Sequence, residues 1–304
     1  MVKSTRAVVL FGAVCLVGSL PARAQETAVK PSVAKPVPTD VAAADAIYER
    51  RSIRVRQGDK QRDKQRGKQG DKPGDKPGDD EVSFGWRLLR PSTIEPGRRY
   101  PVVLFLHGAG ERGDDNIMQL KYLPTWMTEA ATREQYPCFV IAPQCRTDSR
   151  WADVAWAARE SSPQAASPTA DMAAAIAALD EVIAREPADP TRIYLTGLSM
   201  GGFGTWDLAA RMPERFAAIL PICGGYDERT APRLAPLPTW VAHGDADKVV
   251  PVERSRSMVA ALKAAGGNPT YVEMPGVGHD SWTPTYRDPA ALAWLFGQRR
   301  PAAR

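Results

Sequence analysis

Ile193-Tyr194-Leu195-Thr196-Gly197-Leu198-Ser199-Met200-Gly201-Gly202-Phe203-Gly204-Thr205 passes from an apolar run, through Gly-x-Ser-x-Gly, into the start of a helical pattern. The run suits a buried strand. Gly197 and Gly201 stand two positions either side of Ser199, where a pinched strand-to-helix turn leaves no room for a Cβ. Such a turn lifts the Ser199 hydroxyl above the sheet. The new helix then aims its unpaired N–H groups and positive dipole end at any negative charge that develops there. A glycine-rich turn with an incidental serine reads the same over five residues, so the rest of the chain decides between the two.

Outward from this stretch, strands and helices alternate. Residues 100–106 form a continuous apolar run of the parallel-sheet type, ending in His107-Gly108-Ala109-Gly110-Glu111-Arg112-Gly113. Further strands are predicted at 138–143, 217–222, 239–242 and 270–274, and helices at 169–185, 252–265 and 289–298. In the first of these helices Met172, Ile176, Leu179 and Ile183 share a face. Alternation at 47–56 and 82–88 predicts an antiparallel hairpin at one edge. The expected fold class is α/β: a doubly wound, mostly parallel sheet with an N-terminal antiparallel edge hairpin, spanning residues 44–300 as one domain.

Residues 1–24 read as a cleavable secretory signal, with Lys3 and Arg6, an apolar run over 7–20, and Ala22-Arg23-Ala24 before Gln25. The run is shorter than the roughly 20 residues of a spanning helix. Cleavage after Ala24 would place the protein in the periplasm or outside the cell, with no membrane association afterwards. Residues 25–43 are expected as a disordered tether. Residues 57–80, rich in Gly, Asp, Lys, Gln and Arg and nearly balanced in charge, are expected as a disordered insertion. The formal net charge of +5 falls close to neutral once Lys3, Arg6 and Arg23 leave with the signal, so nucleic acid is not an expected partner. Cys138, Cys145 and Cys223 are expected as buried free thiols.

Three chemistry-bearing sites fall at carboxyl ends of strands: Ser199, then Asp245 and Asp247 in His243-Gly244-Asp245-Ala246-Asp247, then His279 in Gly278-His279-Asp280-Ser281-Trp282. A serine hydroxyl needs a base, and an imidazole base needs a carboxylate on its other nitrogen. The residues alone leave Asp245 and Asp247 in competition. These motifs, with the His107 loop, resemble the α/β-hydrolase superfamily. Within it they are similar to the prolyl-oligopeptidase-like and dienelactone-hydrolase-like esterases, often labelled predicted peptidase or phospholipase/carboxylesterase. The resemblance covers roughly residues 44–298. It implies the α/β-hydrolase fold and a triad of Ser199, Asp247 and His279, with the acid at the third position after His-Gly. The oxyanion hole it implies is made of the backbone N–H groups of Met200 and Ala109. It also suggests Trp282 as a wall of the acyl or alcohol pocket, with plain packing as the alternative. Glu111 and Asn116 either contact substrate or brace the oxyanion loop. His107 and His243 are expected to bond loop backbone, and Trp151 and Trp156 lie in a connection that could cap the cleft. With three histidines and no paired-cysteine motif, no metal or cofactor is expected.

The function expected is a secreted serine hydrolase cleaving small-molecule or polysaccharide-linked carboxylic esters through an acyl-serine intermediate. Activity would fall below the ordinary imidazole range, about 6.5. The alternatives are a prolyl-oligopeptidase-type peptidase, whose gating propeller has no counterpart in these residues, and a non-catalytic binding module on the same fold. The spacing carries no information on oligomeric state.

Overall fold

In the computed structural model of the chain, which describes residues 39–56 and 81–301, every residue of the strand Tyr100–Leu106 is buried. Val102, Leu104 and Leu106 pack into one core, while Val103 and Phe105 pack into another on the opposite face. This two-sided burial is why the strand reads as an unbroken apolar run rather than an alternation. The sheet comprises β1 (Glu49–Arg56), β2 (Glu81–Leu89), β3 (Tyr100–Leu106), β4 (Phe139–Pro143), β5 (Ala188–Leu198), β6 (Ala218–Ile222), β7 (Trp240–Gly244) and β8 (Thr270–Met274). Its order is β1-β2-β4-β3-β5-β6-β7-β8. β1 and β2 pair antiparallel, β2 joins β4 antiparallel, and every other pairing is parallel. The doubly wound sheet with its antiparallel edge pair is therefore present as the sequence predicts.

Helices α1 (Thr39–Asp45), α2 (Ala170–Arg185), α3 (Met200–Arg211), α4 (Glu253–Ala264), α5 (Trp282–Arg287) and α6 (Pro289–Gly297) flank it. The Thr169 hydroxyl caps α2 by accepting from the Met172 N–H at 3.1 Å. The buried stripe of α2 is Met172, Ala175, Leu179 and Val182, with Ile176 and Ile183 only at its margin. Small alanines allow the helix to approach the sheet closely, which turns the expected face by about one position. The tether boundary at 43 is corrected by α1: Val41 and Ala44, three apart on one helical face, are buried in the second core. The signal (1–24), the tether residues 25–38 and the insertion 57–80 lie outside the described residues. Cys138, Cys145 and Cys223 are free and buried. Among the described residues, no helix is long and apolar enough to cross a membrane.

Candidate active site

Ser199 joins β5 to α3 with φ 53° and ψ −118°. Non-glycine residues rarely adopt this conformation, and it persists only where the surroundings enforce it. Two contacts do so here. The Ser199 N–H donates to the Ile222 carbonyl at 3.0 Å, and the Phe203 N–H donates to the Ser199 carbonyl at 3.1 Å. The glycines are obligatory at the same turn: a Cβ on Gly201 would lie 1.8 Å from the Leu106 carbonyl oxygen, and one on Gly197 would lie 2.4 Å from that of Gly201. Their absence of side chains lets α3 rest directly on the end of β3, which brings the loop after Leu106 alongside the serine.

From the far end of the sheet, the loops after β7 and β8 deliver the other two groups. His279 Nε2 lies 2.9 Å from Ser199 Oγ, and His279 Nδ1 lies 2.7 Å from Asp247 Oδ2. The other carboxylate oxygen, Oδ1, accepts from the Val249 and Val250 N–H groups at 2.8 and 3.0 Å. Burial pushes the Asp247 carboxyl up, but hydrogen bonds from His243 and His279 and then from the two amides outweigh it. The group is held well below the ordinary carboxylate range. An ionised Asp247 takes the Nδ1–H of His279, so the Nε2 lone pair faces Ser199. Asp245 is occupied differently: its Oδ1 accepts from the Gly276 N–H at 2.7 Å and pins the turn after β8. The geometry thus pairs His279 with Asp247 and not with Asp245.

Ala109 opens the short helical turn Ala109–Glu111, and Met200 is the first residue of α3. The first amides of a helical turn have no partner inside it, so both N–H groups are free of intrahelical bonding. His107 anchors this loop from below. It is fully buried, its Nε2 accepts from the Cys145 N–H at 2.9 Å, and its Nδ1 faces the Gly108 carbonyl at 2.7 Å. That pattern requires the neutral Nδ1–H tautomer, and burial lowers its pKa to about 4. His107 therefore bonds loop backbone, as its position before a glycine predicts.

The remaining sequence candidates separate. Trp282 stands edge-on to His279, with ring centroids 5.1 Å apart, and Tyr122 packs against Trp282 at 5.5 Å. Glu111 is buried, and its carboxylate folds back toward Gly108 within the oxyanion loop. Asn116 does not face the site: its amide nitrogen donates to the Arg51 and Trp86 carbonyls, both at 3.4 Å, and its oxygen accepts from Gln119 at 2.5 Å. These bonds fasten the loop to β1 and β2, so a substrate role for Asn116 is replaced by bracing. Trp151 does not cap a cleft either. It is fully buried, donates to the His107 carbonyl at 2.9 Å, and occupies the space that a Cβ on Gly204 would need. Trp156, partly buried, lies beneath the Arg112 and Arg150 guanidinium groups.

Sequence reasoning missed one residue at the site. His243 Nε2 lies 3.2 Å from Asp247 Oδ2, the oxygen that also holds His279. The signal was available as His243-x-x-x-Asp247. Among the described residues, one set of three groups has metal-ligand spacing, namely Cys223, Asp247 and His279, whose donor atoms lie within 4.8 Å of one another. Two of the three, Asp247 and His279, already bond each other, and burial pushes the Cys223 thiol far above its ordinary value.

Residues 92–288 match the phospholipase/carboxylesterase family. The crystal structure of a thermostable esterase is 35% identical and superposes with a TM-score of 0.69, covering 84% of this chain and 64% of that one. NocK of Nocardia uniformis subsp. tsuyamanensis, an esterase by name, is 32% identical over 104 residues, or 34% of this chain and 30% of its own. Poly(3-hydroxyalkanoate) depolymerase C of Paucimonas lemoignei is 47% identical over 47 residues, or 16% of this chain and 11% of its own. The chain thus spans less than two thirds of the length of each of these relatives. Because the family match runs through β3, the Ser199 turn and the loops that carry Asp247 and His279, the protein belongs to the phospholipase/carboxylesterase family, on the α/β-hydrolase fold.

Proposed function

We propose that the protein is a secreted serine hydrolase that cleaves carboxylic esters through an acyl-Ser199 intermediate. The observation that carries this reading is the continuous hydrogen-bonded line from Ser199 Oγ through His279 to the ionised Asp247. His279 Nε2 takes the hydroxyl proton as Oγ attacks the acyl carbon. The carbonyl electron pair moves onto oxygen, toward the Ala109 and Met200 N–H groups, each such donor being worth about 3 kcal/mol in a transition state. Asp247 stabilises the imidazolium. The proton then passes from His279 to the leaving alcohol as the C–O bond breaks, and water repeats the sequence in reverse roles to release the acid. Ser199 and His279 are partly exposed, so a substrate reaches them from solvent.

Small-molecule or polysaccharide-linked esters suit this site. The aromatic wall formed by Trp282 and Tyr122 beside His279 favours a flat or apolar group. Export is part of the same reading and rests on residues 1–24; the mature protein should begin at Gln25. The decisive experiment pairs a fluorophosphonate probe with a panel of short and long acyl esters, feruloyl sugars and peptide amides. Ester turnover and labelling, both abolished in Ser199→Ala, are expected. Amide turnover exceeding ester turnover would make the protein a peptidase, and an unlabelled wild type would leave it a non-catalytic module.

A further inference from the structure

Where this chain needs only a turn with positive φ it uses glycine, at Gly97, Gly266 and Gly276. Among the described residues the non-glycine cases are Asn116, a type that tolerates such a turn, Ser199 itself, Cys223 beside Asp247 and His279, and Tyr122. Tyr122 adopts φ 65° and ψ −122°, almost the backbone of Ser199 at 53° and −118°. A bulky residue persists there only where its surroundings enforce the conformation. Leu120 and Leu123 on either side are buried, the Thr125 hydroxyl donates to the Leu120 carbonyl at 2.6 Å, and the Trp126 N–H donates to the Tyr122 carbonyl at 3.0 Å. Glycine would take the same backbone without strain, so the reason for a tyrosine lies in its side chain. That side chain is half-buried, and its ring stands at 62° to Trp282, the residue edge-on to His279. The charges that act on its phenol are Glu111, at the end of the oxyanion turn, and Asp280, next to His279. The ring thus lies between the loop that carries the Ala109 N–H and the loop that carries the base.

We propose that Tyr122 is a specificity-determining residue, whose ring forms with that of Trp282 a subsite for an aromatic ring carried by the ester. The proposal rests on reading Ser199, His279 and Asp247 as the catalytic groups, and it names a substrate class for that site. Two rings tilted to each other let an aromatic guest lie offset against one and edge-on to the other, a gain beyond the burial that an alkyl chain also obtains. The enforced backbone holds the Tyr122 ring in place beforehand, so little conformational freedom is lost when the guest arrives. Burial, with Glu111 and Asp280 nearby, raises the phenol to about 12, and the wall is therefore uncharged at neutral pH. The aromatic ring can be carried by the acyl or by the alcohol half of the ester, and the assay separates the two.

The test compares kcat/KM for methyl hydrocinnamate, benzyl acetate and methyl butanoate, none of them activated, in wild type, Tyr122→Phe, Tyr122→Leu and Tyr122→Gly. Glycine accepts this backbone, so Tyr122→Gly removes the ring without adding strain. Tyr122→Leu keeps bulk without aromaticity, and carries the test should the glycine variant not fold. Wild type and Tyr122→Phe are expected to prefer at least one aromatic ester over methyl butanoate, and the preference should fall by about tenfold in the leucine and glycine variants. A preference confined to methyl hydrocinnamate assigns the ring to the acyl half, and one confined to benzyl acetate assigns it to the alcohol half. A merely structural role for Tyr122 lowers turnover of all the esters by one factor, or lowers the melting temperature, and leaves their ratios in place. That result, or a wild type with no aromatic preference, would overturn the proposal. If the wild type turns over none of these esters and a fluorophosphonate leaves Ser199 unlabelled, the reading of Ser199 as nucleophile fails instead.

Discussion

Asparagine at Asp247 changes two atoms' chemistry while leaving the shape intact. In the wild type Oδ2 accepts from His279 Nδ1 at 2.7 Å, with His243 Nε2 3.2 Å away, while Oδ1 is held by two amides. The amides keep the oxygen of an asparagine on their side, so its NH₂ is forced to face both imidazoles. His279 Nδ1 must then accept, its proton shifts to Nε2, and the ring presents N–H to Ser199 where a lone pair is needed. Reversed tautomers of this kind cost about 10⁴ in kcat, or about 5 kcal/mol of barrier. The matched control is Asp245→Asn, in which an amide oxygen still accepts from the Gly276 N–H, so turnover should stay within about tenfold of wild type, given a net hydrogen-bond change of about 1 kcal/mol. The assay is turnover of a chromogenic acetyl ester, with melting curves to confirm that both variants fold. An Asp247→Asn enzyme within tenfold of wild type, or an Asp245→Asn enzyme as inactive as Asp247→Asn, would refute the assignment of the acid.

Three further outcomes follow from the same geometry. Gly201→Ala should destabilise the fold by about 3 kcal/mol or more, because the added Cβ meets backbone at the end of β3 and not a flexible side chain; chemical denaturation checks this, and a near-neutral result would mean that α3 does not rest on Leu106. Ala109→Pro removes one N–H at the first position of a helical turn, where proline fits, and Gly108 before it is extended (φ −78°, ψ 177°) as a residue preceding proline prefers. It should lower kcat by about 10²–10³ with little change in stability, while Ala109→Ser stays near wild type. His107 is neutral when folded and charges readily when unfolded, so the unfolded chain binds the extra proton between pH 6.5 and about 4. Stability is complete above that window and falls as pH drops through it, by about 3 kcal/mol from this residue; denaturation at pH 7 and pH 4.5 should show the loss in wild type and a smaller one in His107→Gln.

The parts of this protein that were readable from its sequence are those that short stretches determine by themselves. The burial of β3 on both faces is written in residues 100–106, and the bend at Ser199 is written in two glycines that α3 and β3 leave no room to replace. The position of α1 was less legible, because Val41 and Ala44 lie in an alanine-rich, proline-flanked segment whose helical face becomes apparent only when a core receives it. Asn116 misled for a related reason. A polar residue three positions past a glycine-rich loop looks available to a ligand until Arg51 and Trp86, from strands elsewhere in the chain, and Gln119, three residues on, claim its amide.

The acid pair shows where reading by pattern must stop. Asp245 and Asp247 are two residues apart and chemically identical, and what separates them is the path of the loop after Gly244. That loop is fixed by the Asp245 and Ala246 N–H bonds to the Met274 and Val277 carbonyls, and by the Asp247 N–H bond back to Gly244. Those bonds turn one carboxylate toward the Gly276 amide and the other toward His279. The same convergence brings His243, bonded to Ser255 twelve residues on, to within 3.2 Å of Asp247 Oδ2. A hydrogen-bond network assembled from three strand ends and a helix has no local period. It becomes visible only when every donor and acceptor around the carboxylate is counted.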